Sequence, residues 1–318
     1  MINIAACTDS RFVMPTGVMI QSVCMNNPNV DIVFHIIVSD DFTLRNKLEL
    51  DDVASNFKKV HLLFYSASDS IRNFSFPGLE GVYTITSVSY YRLWLAEILP
   101  SDIDKILYLD GDVIVRHSLQ SFFDIDLSDY AVGAVYDGWE DNTVYNRLKY
   151  SSNLGYFNAG VLLINLAYWR EYAVINDFIS YMRNHSEDIK WCDQDVLNAC
   201  FSDKKKFLPL KYNFQNGFLW KNPNIDFTSL GKEILENYKD PIIIHFTGEK
   251  PWSKYQRRPN PFSSSWIKYQ NYTKWKGVTT DYRPFKIRII NMCADFLRRI
   301  HLKKTDHRMD YLDINPLD

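Results

Sequence analysis

The stretch Lys105–Val115, KILYLDGDVIV, sets two carboxylates one residue apart at the end of an apolar run. Ile106, Leu107, Tyr108 and Leu109 suit a strand covered on both faces, and Val113, Ile114 and Val115 resume the pattern. Asp110 and Asp112 at such a strand end can turn toward one cation, with Gly111 allowing a tight backbone and room for a ligand. Oxygen donors suit Mg²⁺ or Mn²⁺, and an added imidazole tilts the choice toward Mn²⁺. A divalent ion there could hold a diphosphate and offset the charge of a leaving nucleotide. Taken alone, the pair fits a solvated Asp-Gly-Asp turn equally well. A second stretch, IIIHFTGEKPW (Ile242–Trp252), favours the metal reading. His245 closes a strand run, Gly248 permits close backbone approach, and Lys250 can meet phosphate as a point charge.

Other residues carry chemistry only if the fold gathers them. Asp9 and Asp137 each follow an apolar run; either could simply open a turn. Arg92 lies among Tyr91, Leu93 and Trp94, a half-buried setting in which an unpaired arginine is costly. Asp193 could cap the helix that follows it. Asn158, at the start of a buried strand, needs a hydrogen-bond partner. The aromatic residues, 15% of the chain, are mostly core, with exposed Trp and Tyr able to stack on sugar faces.

The elements that must position these groups alternate. Strands are predicted at Ile2–Cys7, Asp31–Ser39, Lys59–Tyr65, the opening stretch, Tyr130–Asp137, Ala159–Leu166 and Pro241–Phe246. Helical spacing covers Thr16–Met25, Thr43–Phe57 with Thr43 as cap, Ser87–Leu99, Tyr168–Arg183 and Asp193–Phe201, with an irregular Ser66–Thr84 between. Repeated strand–helix–strand order predicts an α/β fold with a mostly parallel sheet and helices on both faces. Ligands of such sheets sit beyond the carboxyl ends of the strands. Asp9, Asp110, Asp112, Asp137 and His245 would then converge on one edge. No internal repeat or low-complexity linker is found, and no domain boundary can be drawn before about residue 250.

Composition narrows the class. The chain has 318 residues and a net charge of −2, which excludes a generic nucleic-acid binder. Five cysteines, with no Cys-x-x-Cys pair and with Cys7, Cys24 and Cys200 in apolar runs, read as reduced thiols of a cytoplasmic protein. The opening MINIAACTDSRF lacks the long apolar region of a signal peptide, and no run approaches the roughly 20 apolar residues of a membrane span. Near the other end, Arg283–Lys304 holds seven Lys or Arg against one Asp, a net of +6, with Ile289, Cys293, Phe296 and Ile300 at helical spacing. A basic amphipathic helix of this kind can lie on anionic lipid at the inner face of the cytoplasmic membrane.

YLDGDVIV, FNAGVLLINL, CDQDVLN and HFTGEKPW, in this order from Ile2 to Trp252, resemble glycosyltransferase family 8. That retaining family includes bacterial lipopolysaccharide galactosyl- and glucosyltransferases and glycogenin. The resemblance implies a GT-A fold over residues 1–252, a C-terminal extension over 253–318, and transfer of a hexose from UDP-glucose or UDP-galactose to a glycan or glycolipid acceptor. Asp110 and Asp112 match the family's Asp-x-Asp, and His245 its third metal ligand, usually for Mn²⁺. Gly248 and Lys250 match the diphosphate contacts, and Asp9 an acidic residue that meets the uracil. Arg92 matches an arginine reaching the donor sugar and the Asp-x-Asp. Asn158 matches a residue near the sugar hydroxyls, with Ala159 and Gly160 as the adjacent wall. Asp193 and Gln194 match the pair facing the anomeric carbon, and Asp137 an acidic position near the acceptor. An amide is a poor nucleophile, so Gln194 favours a front-face route over a covalent intermediate on Asp193.

The sequence departs from the family in two places. Only Glu249 separates Gly248 from Lys250 where many bacterial members carry a longer spacer, and Cys7 and Arg11 flank Asp9. Two other readings compete: a haloacid-dehalogenase-type phosphatase with Asp110 as nucleophile and Asp112 as general acid/base, and an inactive sugar-binding domain.

Overall fold

The first two strands are nearly continuous apolar runs, so they can be buried on both faces and lie inside a sheet. In the computed structural model, β1 (Ile2–Thr8) pairs in parallel with β2 (Ile32–Val38) along its whole length, and β2 likewise with β3 (Val60–Ser66). The structure describes residues 1–79, 86–139, 143–220, 230–254 and 260–280, and beyond these 289–290, 292–294, 296–297 and 300. On its other side β1 pairs in parallel with β4 (Lys105–Leu109). After the short β5 (Val113–Val115) come β6 (Val132–Tyr136), β7 (Phe157–Asn165) and β8 (Lys205–Phe207), completing a seven-stranded sheet of order β3-β2-β1-β4-β7-β6-β8. β7 runs antiparallel to both β4 and β6, and β6 is parallel to β8, so six strands share one direction and β7 opposes them. A smaller sheet joins β5 to β10 (Ile243–His245) and β10 to β9 (Phe214–Gln215).

Alternation along the strands divides the core. Leu107 and Leu109 face a cluster with Val18, Met19, Ile20 and Val23 of the helix Val13–Asn26, while Ile106 and Tyr108 face Tyr90, Leu93, Trp169 and Phe178 on the other side. The Val13–Asn26 helix begins earlier than the spacing predicts because Pro15 falls in its first turn, where its missing N–H has no partner to lose. Thr43 caps the helix Leu44–Ala54 as expected, and the Asn46 side chain returns a bond to the cap. Two expected helices differ. Ser87–Trp94 winds as a 3₁₀ helix before one α-helical turn, Leu95–Ile98. Tyr168–Arg183 is broken into Leu166–Glu171 and Ile175–Asn184 at Ala173, whose φ of 46° is left-handed.

The packed unit continues past Trp252, where the sequence division put its boundary. Trp252 lies 6.0 Å from Phe12 and 5.0 Å from Trp266, ring centre to ring centre, and the helix Ser263–Gln270 docks on Val13–Asn26. Trp275 covers Gly17 so closely that a Cβ there would stand 2.3 Å from its ring. Among the described residues, no helix is long and apolar enough to cross a membrane.

His35, buried on β2 between Tyr65 and Asn3, gives the fold a pH response. Burial holds its imidazole down at about 4, against 6.5 in the unfolded chain. The neutral ring therefore contributes stability above pH 6.5 that is lost as pH falls toward 4, up to about 3 kcal/mol. Urea unfolding of His35→Gln should show a flatter stability profile than the parent across that window; parallel profiles would refute the assignment.

Candidate active site

Six co-directed strands bring their carboxyl ends to one edge. Asp9 follows β1, Asp110 follows β4 and Asp137 follows β6. β7 runs the other way, so its beginning, Asn158-Ala159-Gly160, reaches the same edge. Register delivers the histidine: β10 pairs antiparallel with β5, placing His245 opposite Val113, and Phe246 N–H donates to the Asp112 carbonyl at 3.0 Å.

Asp110, Asp112 and His245 each offer one ligand atom within 4.8 Å of the others. Oδ1 of Asp110 accepts from Arg92 Nη2 at 2.8 Å and from the Tyr108 hydroxyl at 2.9 Å, which turns Oδ2 toward His245. Gly160 keeps that space open. A Cβ on it would meet Asp110 Oδ2 at 2.7 Å and His245 Cε1 at 2.2 Å.

A chain of amides fixes which ring nitrogen of His245 faces the carboxylates. Gly160 N–H, which can only donate, meets Asn158 Oδ1 at 3.0 Å. That oxygen also accepts Asn213 Nδ2 at 2.9 Å, so Asn213 Oδ1 is the atom 3.1 Å from His245 Nδ1. Nδ1 must then carry the proton, leaving the Nε2 lone pair, 3.3 Å from Asp112 Oδ1, for a ligand. Two carboxylates and an imidazole freed at Nε2 fit a divalent cation, Mn²⁺ or Mg²⁺. The sequence reading missed Asn213. Its signal was weak: a single asparagine between Tyr212 and Phe214, fully buried and so bound to find partners.

Lys250 Nζ lies 2.5 Å from Asp112 Oδ2. Burial alone would raise the Asp112 carboxyl, but the Lys250 ammonium outweighs it and holds it well below the usual range. Gly248 has φ 86°, and a Cβ on it would press on Trp139 at 3.1 Å. Trp139 in turn donates to Thr247 Oγ1 at 2.7 Å.

Arg92 is buried, and its guanidinium joins the two halves of the site. It reaches Asp110, the Ala159 carbonyl at 2.5 Å, and Asp193 Oδ2 at 2.9 Å, and it lies over the Tyr108 ring. Asp193 is not the cap of its helix, Cys192–Cys200; it stands in the first turn with its carboxylate on Arg92. Burial pushes that carboxyl up to about 6 despite the arginine. Gln194 Oε1 accepts from Ala159 N–H at 2.9 Å, and its Nε2 donates to Asp137 Oδ2 at 2.8 Å and to the Tyr156 hydroxyl at 3.1 Å. Burial raises the Asp137 carboxyl, against the bonds from Trp139 N–H and Gln194.

Two expectations change in detail. Gly111 is needed for close approach rather than ligand room: a Cβ on it would meet Thr16 Oγ1 at 2.8 Å, in the first turns of the Val13–Asn26 helix. Asp9 does shape a turn, accepting Arg11 and Phe12 N–H, each at 3.0 Å, while Oδ2 pairs with Arg11 and Thr86.

The sequence pattern that defines glycosyl transferase family 8 matches residues 3–256, well over half of the chain. The chain belongs to glycosyltransferase family 8. Glycosyltransferase GlyF of Streptococcus pneumoniae serotype 4 is 31% identical over 259 residues, covering 80% of this chain, which spans only 58% of that protein. The lipopolysaccharide glucosyltransferase WaaO of Escherichia coli K12 is 28% identical, covering 87% of this chain and 80% of its own. The galactosyltransferase LgtC, crystallised with donor and acceptor sugar analogues, superposes on 90% of this chain and 99% of its own with a TM-score of 0.71 at 24% identity, which shows the GT-A fold. Family 8 membership sets aside the phosphatase alternative. In this family 8 chain Asp110 Oδ1 is bound by Arg92 and Tyr108 rather than presented to a substrate.

Proposed function

We propose that this glycosyltransferase moves a hexose, glucose or galactose, from its UDP-sugar to a glycan or glycolipid acceptor with retention of anomeric configuration, in the synthesis of lipopolysaccharide or another surface polysaccharide. The observation that carries this reading is the Asp110–Asp112–His245 group beside Lys250, on the edge that also holds Arg92, Asp193 and Gln194. A divalent cation held by Asp110, Asp112 and His245 would neutralise diphosphate charge as the sugar–phosphate bond breaks. Lys250 exchanges its bond to Asp112 for a phosphate oxygen, and Gly248 lets the backbone approach the diphosphate. Asp9 meets the uracil, Arg92 and Asn158 hold the donor sugar against Ala159, and Asp137 meets the acceptor. Gln194, tied at both ends of its amide, supports the anomeric carbon rather than attacking it. The acceptor oxygen then bonds the anomeric carbon on the face the phosphate leaves, and the leaving phosphate oxygen takes the acceptor proton.

The test is a panel of UDP-sugars offered with glycan and glycolipid acceptors, products being identified by mass spectrometry and anomeric NMR. Retained hexosyl products with UDP-glucose or UDP-galactose are expected. Donor binding without turnover of any UDP-sugar would leave a sugar-binding domain and sink the proposal.

The protein is further proposed to work in the cytoplasm, in peripheral contact with anionic membrane. Ile289, Ile290, Met292 and Phe296 are exposed on residues 289–297, while Ala294 is buried. Residues 281–288 and 301–318, which hold much of the basic charge, lie outside the described residues. Truncation after Thr280 should spare UDP-sugar hydrolysis but weaken binding to anionic vesicles, most clearly at low salt. Equal partition of both forms would refute the contact.

A further inference from the structure

Gln194 does not hold its own pose. Its second amide proton goes to the Tyr156 hydroxyl, whose own proton is committed to Asp195 Oδ1 at 2.8 Å. Asp195 is fully buried. Its two oxygens also accept from Arg147 at 2.5 and 3.2 Å and from the backbone N–H groups of Lys190 and Trp191, both at 2.7 Å. The carboxylate is therefore spent on five donors and ties together three segments. One is the helix Thr143–Leu148 that carries Arg147, one is the entry to β7, and one is the turn before Cys192. That turn needs the tie: Cys192 has φ 51°, a left-handed conformation that is unfavourable for an L-residue. Cys192 is the residue from which Asp193 and Gln194 leave.

We propose that Tyr156, Asp195 and Arg147 form a positioning relay for Gln194, resting on the reading of Gln194 as the group beside the anomeric carbon. Asp195 anchors the Tyr156 hydroxyl and the 190–191 turn, Arg147 neutralises Asp195, and Tyr156 transmits the alignment to the Gln194 amide. None of the three touches the donor; each acts through Gln194.

Tyr156→Phe removes the hydroxyl that links the relay to the Gln194 side-chain amide and leaves Asp195 paired with Arg147. Loss of one such bond is expected to lower kcat about tenfold, with KM for the nucleotide sugar unchanged. In a Gln194→Ala background the same change should make no further difference. An equal fall in both backgrounds, or no fall in the parent, overturns the relay. A second readout does not depend on turnover. The Gln194 side-chain amide in a ¹⁵N–¹H spectrum, assigned by its loss in Gln194→Ala, should move toward the position of a free amide in Tyr156→Phe. An unmoved resonance overturns the relay even if the parent turns over no nucleotide sugar, an outcome that would separately defeat the proposed function. Should Tyr156→Phe fail to fold, Arg147→Lys keeps the charge, loses the two-pronged grip on Asp195 and carries both tests.

Discussion

Asp112→Ala is expected to lower cation-dependent transfer by at least about a thousandfold, the scale of several kcal/mol of charge stabilisation. Asp112 is the point where the proposed metal and phosphate groups meet: Oδ1 faces His245 Nε2 and Oδ2 faces Lys250 Nζ. Removing it would take away a proposed ligand and leave two basic groups facing each other across the site. The fold should survive, because Lys250 keeps its bond to the Phe246 carbonyl at 2.7 Å and remains partly exposed. Circular dichroism and a melting curve would establish folding. Titration of Mn²⁺ followed by electron paramagnetic resonance would report cation binding apart from turnover. A folded variant with undiminished transfer removes Asp112 from the site.

Gly160→Ala, a single methyl, is expected to cost about a hundredfold in activity, the penalty typical of an ångström-scale misplacement. The reason is steric. Gly160 lies in β7, whose residues from Phe157 to Ile164 are all buried, so the backbone cannot retreat. His245 must yield instead, since its Cε1 would stand 2.2 Å from the new carbon. Turning the ring breaks its bond to Asn213 and moves Nε2 away from Asp112. Mn²⁺ affinity should fall together with the rate, and a crystal structure should show a rotated His245. Unchanged affinity would mean that the imidazole can move without consequence and is no ligand.

The meeting of the acids could be read in the sequence because each of them follows a strand run, and position after a strand is a local property. Asp110 needed only the edge of the main sheet, whereas His245 arrives from the smaller sheet, where β10 runs antiparallel to β5 rather than joining the parallel strands. The direction of β7 could not be read so directly. FNAGVLLINL is apolar in either sense of travel, and its reversal depends on pairing with β4 and β6. The relay behind Gln194 was hidden for another reason. Arg147, Tyr156 and Asp195 are each unremarkable where they stand, and their bonds span 39 to 48 positions. The helix break at Ala173 has no glycine or proline to announce it. Gly111 was noticed for the right property, its small size, but the neighbour that demands it is the Val13–Asn26 helix, which sequence spacing does not place beside it.

The reversed strand also bears on how the site is lost. Asp110 N–H donates to the Gly160 carbonyl at 2.8 Å, tying the end of β4 to β7 across some fifty residues of chain. β7 sits inside the sheet, between β4 and β6, and the edge that carries Asn158, Ala159 and Gly160 is its own first turn of pleat. Local opening of a protein begins where few buried contacts hold the backbone and reaches central strands only with global unfolding. The amide protons of Asp110 and Gly160 should therefore exchange with solvent deuterium as slowly as those of the core. Under rising temperature or denaturant, the candidate site's edge and the sheet would disappear in one cooperative event, with no stage at which the body stands and this edge has frayed.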